Sequence, residues 1–97
     1  MSSKKKEEKT KGERRKLIED EIEELKRKKQ KLMTHGDSLE ESANEMAEKA
    51  EKASSFQLQS SLIAKSNSHR ASARDKRKKI KKVQNKLEEK QTELKNI

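Results

Sequence analysis

Steps of four and three residues alternate without a slip along Ile18, Ile22, Leu25, Lys29, Leu32, Gly36, Leu39, Ala43, Met46, Ala50 and Ala53. The mean step of about 3.5 residues is close to one α-helical turn, so these positions form a stripe that another helix must cover. Only Lys29 and Gly36 interrupt its apolar character. A second series, Leu62, Ser66, His69, Ala73, Lys76, Ile80, Val83, Leu87, Lys90, Leu94 and Ile97, keeps the same steps. In each series large aliphatics lie at the end far from residue 57 and mostly small or polar members lie near it. Mirror-image seams in one chain are what two arms of an antiparallel hairpin require.

Composition alone would also fit a disordered chain, because 46% of residues are charged and 26% are hydrophobic. Periodicity decides against that. Helix formers dominate and proline is absent, so nothing interrupts long helices. With Phe56 the single aromatic, neither a β-sandwich nor an aromatic-lined ligand cavity has the residues it needs.

The expected fold is therefore all-α: a long antiparallel two-helix coiled-coil hairpin with a flexible basic N-terminal tail. Residues 1–13 read as the mobile tail and 14–97 as the hairpin, with helices over 14–53 and 61–96 and a turn over 54–60. The turn is placed where the chain is Ser-rich and out of phase with both seams. Thr34-His35-Gly36-Asp37-Ser38 offers an alternative, since Gly36 suits a helix stop and Ser38 with Glu41 makes a capping-box pattern. A break there would give a three-helix arrangement, but the heptad phase passes through Gly36 intact, which favours one continuous or kinked helix.

Two heptad registers suit a short turn. In the preferred one Ile22 layers with Ile97, Leu25 with Leu94, Leu32 with Leu87, Gly36 with Val83, Leu39 with Ile80 and Met46 with Ala73. The misfit Lys29 then faces Lys90, and both ammonium groups snorkel outward on their stems. Glu40 comes near Arg77 and Lys28 near Glu93. The register shifted by one heptad opposes Lys29 to Val83, Ile22 to Lys90 and Gly36 to Lys76, and brings Glu21 near Glu93. It scatters polar groups among apolar ones and is the less favourable on pattern alone.

No constellation of catalytic residues stands out. His35 and His69 are the only histidines, without a metal-ligand motif, and there is no Cys for a thiolate site. His69 reads as a partly exposed spacer on the second seam, with a pH-sensitive contact as its functional alternative. Gly12 and Gly36 are isolated, so no phosphate-cradling glycine loop forms, and the serines lack an oriented base. The chain is expected to be non-enzymatic, with no cofactor, metal or small-molecule substrate.

The strongest functional pointer is basic. Arg70, Arg74, Lys76, Arg77, Lys78, Lys79, Lys81 and Lys82 crowd about three helical turns in a chain of formal net charge +9. They surround the helix, so the acidic stretch Asp37 to Glu48 on the opposing arm cannot neutralise them all. The plain reading is a solvated face. The functional ones are phosphate-backbone contacts and nuclear import through Lys76-Arg77-Lys78-Lys79. Without aromatic stacking platforms, any nucleic-acid binding would be sequence-independent and steeply salt-sensitive. A basic-zipper reading of residues 70–97 fails because Lys90 lies inside an already short zipper.

No apolar run approaches a membrane span, and the start MSSKKKEEKT lacks a signal-peptide core, so cytoplasmic or nuclear residence is expected. The expected role is protein–protein association or scaffolding. In it the seam Ile18, Ile22, Leu25, Leu32, Leu39, Met46, Leu62, Ile80, Val83, Leu87, Leu94 and Ile97, or the outer face, meets a helical partner or a second copy. The alternative is a sequence-independent nucleic-acid binder using residues 70–82.

Overall fold

The computed structural model of the chain describes residues 10–97, and they form two helices, α1 (Lys11–Glu51) and α2 (Phe56–Lys95), that pack as a hairpin. No strand occurs among the described residues. α1 runs through Gly36 without interruption, so the three-helix alternative does not form.

Each helix starts earlier than the sequence reading places it, and a side-chain cap is the reason. Thr10 Oγ1 accepts the Glu13 backbone N–H at 3.1 Å, and the Arg14 N–H reaches the Thr10 carbonyl at 3.0 Å. That is half of a Thr-x-x-Glu capping box, with the Glu13 carboxylate in the positively polarised first turn. Residues 10–13 therefore belong to the helix and its cap rather than to a tail; residues 1–9 of the expected tail lie outside the described residues.

Ser55 does the same for α2: its Oγ accepts the Leu58 N–H at 3.2 Å, and the Gln59 N–H reaches its carbonyl at 3.0 Å. The turn is thereby 52–55, and the expected turn residues Phe56 to Ser60 form the first turns of α2. α1 closes on tightened bonds from the Lys52 and Ala53 N–H groups to the Lys49 and Ala50 carbonyls, both 3.2 Å.

The contacts gather into two compact units. One holds the residues up to Lys29 with Lys82–Ile97. Ile18, Ile22, Val83 and Leu87 are its buried core, with Leu25, Lys29, Lys90, Leu94 and Ile97 half-buried. Lys29 Nζ donates to Gln84 Oε1 at 2.7 Å, and Lys90 Nζ lies 2.6 Å from a Glu21 carboxylate oxygen.

The other unit is Gln30–Lys81. Here small residues form the core: Gly36, Ala43, Ala50, Ser66 and Ala73 are buried, while Leu32, Leu39, Met46, Ala53, Leu62, His69, Lys76 and Ile80 are half-buried. Small side chains let the backbones approach closely. The Ser66 hydroxyl, 2% exposed with its residue, donates straight across to the Ala43 carbonyl at 2.9 Å. That bond satisfies a polar group which would otherwise be costly to bury.

These contacts correct the register. Gly36 sits against Lys76, Glu21 against Lys90 and Lys29 beside Gln84, which is the heptad-shifted pairing. The cap at Ser55 accounts for it: in the other register Ala53 would oppose Ser66, leaving the first turns of α2 with nothing to pack on. Polar partners remove the penalty that counted against this pairing. Glu21 and Glu93 do come close, but Lys90 Nζ bridges them at 2.6 and 3.5 Å. Lys29 and Lys90 do not face each other; each has a partner of its own on the opposing helix. Gly36 leaves room for the stem of Lys76, whose Cβ would stand 3.6 Å from a Cβ added at Gly36.

Candidate functional site

Asn67, Arg70, Arg74 and Arg77 follow at steps of three, four and three, which lays them along one stripe of α2 beside the seam. Glu40 and Asn44, one turn apart on α1, face the same side. The six residues line an open groove of about 400 Å³ within the Gln30–Lys81 unit.

The groove holds its arginines at two of three points. The Arg77 guanidinium is ion-paired with Glu40, and Arg70 donates to Asn44 Oδ1 at 3.4 Å. Arg74, between them on the stripe, makes no ion pair or hydrogen bond among the described residues. Both members of the Arg77–Glu40 pair are partly solvent-exposed, so it orients the guanidinium more than it stabilises the fold.

The rest of the basic cluster disperses around α2. Lys76 is half-buried on the seam against Gly36, and Lys79 pairs with Asp75 of its own helix at 3.3 Å. Lys78, Lys81 and Lys82 are exposed, with no ion pair among the described residues. Among the described residues, Glu40 is the one carboxylate of the stretch Asp37 to Glu48 that is ion-paired with a basic residue of the cluster. The groove thus keeps a surplus of positive charge.

On another side of the same unit His35, Leu39, Ser68, Ala71, Ser72, Asp75 and Lys76 line a second open depression of about 500 Å³. Its His35 is exposed, and His69 is half-buried on the seam. Among the described residues no three His, Asp or Glu side chains converge as metal ligands. No helix there is long and apolar enough to cross a membrane.

In the other unit the pKa of Lys90 is raised above its ordinary value of 10.5. The hydrogen bond it donates to Glu21 raises it, against partial desolvation and with help from the charges of Glu21 and Glu93.

Sequence reasoning did not find Asn44 and Asn67 of the groove or Gln84 at the seam; it placed Ser66 on the seam but not its bond to the Ala43 carbonyl. A polar residue acquires such a role only through its neighbour on the opposing helix, and that neighbour depends on the register. No protein-family model matches the chain, and comparison with curated proteins and with solved structures finds no match.

Proposed function

We propose that the chain is a non-enzymatic association or scaffolding module of the cytoplasm or nucleus, which completes its own seam and binds a helical protein partner or a second copy through its outer surface. The observation behind this reading is Phe56. It is the only aromatic residue, and it stands 81% exposed at the start of α2, while the seam aliphatics of both helices are at least half-buried. Ile63, on the same helical face two turns on, is 46% exposed.

Aromatic anchors are enriched where protein surfaces meet, and covering a Phe side chain contributes roughly 1.5 to 3 kcal/mol. The test is sedimentation equilibrium with circular dichroism over a concentration series, on the parent and on Phe56→Ser with Ile63→Ser. A photoreactive side chain at position 56 identifies a partner by covalent capture. Self-association, or a discrete captured partner competed away by the parent chain, is the expected result. A helical monomer that captures nothing from position 56 would remove the reading.

A further inference from the structure

We propose that Arg70, Arg74 and Arg77, with Lys81 continuing their row, form a docking line for the phosphate backbone of double-stranded nucleic acid, and that Glu40 is its built-in competitor. This is independent of the association reading, since it involves neither Phe56 nor Ile63. The residues follow at steps of four, three and four, so at about 1.5 Å per residue they present a cation every 4.5 to 6 Å along one stripe. Duplex nucleic acid carries a charge for about each 1.7 Å of its axis with both strands counted, so a row of this length lies within reach of several phosphates.

The groove is built for the contact as well as charged. A guanidinium presents a planar fork that matches two phosphate oxygens, and holding it in place beforehand lowers the entropy lost on binding. Asn44 holds Arg70 in this way from the opposing helix, Glu40 occupies Arg77, and Arg74 is open between them. Asn44 and Asn67 add neutral amide donors at the groove wall.

The length of the row favours a repeating polyanion over a single phosphoryl group, because it runs past the groove to Lys81 with Lys78 exposed beside it. The lining has no aromatic side chain on which an unpaired base could stack, which favours the duplex over a single strand and removes sequence preference. Glu40 is the one anion in the lining. A phosphate approaching Arg77 must displace it.

The experiment is fluorescence anisotropy of the full chain with a random-sequence duplex across a salt series. Four phosphate contacts give a log–log salt slope of about −3 to −4. Arg70→Gln, Arg74→Gln and Arg77→Gln together are expected to weaken binding at least about tenfold at low salt and flatten the slope by about 3 units. The corresponding triple Lys variant keeps the slope, and Lys26→Gln, Lys28→Gln and Lys31→Gln together, an equal loss of charge elsewhere on exposed positions, leaves the affinity within about threefold. Glu40→Gln tightens binding about threefold, in line with an exposed ion pair. Circular dichroism verifies that each variant stays helical. No duplex binding at low salt overturns the proposal, as does a Gln triple variant that binds like the parent. Polyglutamate of equal length binding as tightly as the duplex would also overturn it, by assigning the row to an acidic protein surface.

Discussion

Replacing Gly36 and Lys76 together with cysteine reads the register directly. A Cβ at position 36 would lie 3.6 Å from the Cβ of Lys76, inside the window of about 3.5 to 4.5 Å that a disulfide requires. The chain has no other thiol, so the two new ones have only each other within a monomer. In the register that apolar pattern alone prefers, Gly36 faces Val83. Position 76 is then displaced by seven residues, about 10 Å along the helix, beyond any disulfide. Bridging 36 and 76 closes a loop of about 40 residues, for which chain entropy gives about 4 kcal/mol of stabilisation, and engineered bridges deliver about 2 to 4. In a domain of this size that corresponds to a rise in melting temperature of roughly 10 to 30 °C. The assay is air oxidation at low protein concentration and thiol titration, followed by thermal melts with and without reductant. A pair that stays reduced, while Gly36→Cys with Val83→Cys oxidises readily, would refute the register and with it the role assigned to the Ser55 cap.

Gly36→Ala should raise stability by about 0.5 to 1 kcal/mol, since it removes a flexible residue from mid-helix and the new methyl meets Lys76 at ordinary contact distance; chemical denaturation checks it. Ala43→Leu should cost about 1 to 3 kcal/mol or more in the same assay, because Ala43 is fully buried and its carbonyl accepts from Ser66 of the opposing helix. Ser55→Ala should cost about 1 kcal/mol by loss of the cap, with the amides of Leu58 and Gln59 exchanging faster with solvent. Lys90 should make the hairpin alkali-sensitive. Its folded value is raised, so its contribution is complete below the ordinary lysine value and is lost as pH rises through the raised one. Melting temperature should fall more steeply above about pH 10 in the parent than in Lys90→Met.

Much of the fold is legible from spacing, and the failures are specific. Every member of the two heptad series is buried or half-buried, from Ile18 to Ala53 and from Leu62 to Ile97. The boundaries were misplaced because a cap is a local signal carried by one hydroxyl. Thr10 stands inside a run of mixed Lys and Glu and Ser55 inside a serine-rich one, where neither interrupts a pattern. The basic cluster was visible as a unit, yet its members diverge: Arg70, Arg74 and Arg77 share a groove, Lys76 enters the seam, and Lys79 turns to Asp75.

The sequence by itself determined that there would be two helices and which stripe of each would be covered, because burial of a stripe needs only its own periodicity. Only the tertiary structure decided what each stripe meets. Registers one heptad apart bury the same positions and differ in the polar partners they supply, so the apolar pattern alone preferred the wrong one. The Ser55 cap, Lys29 with Gln84, Lys90 with Glu21, and Gly36 with Lys76 select one. The same register sets Asn44 beside Arg70, while the Glu40–Arg77 pair, expected from the other register, forms in this one as well.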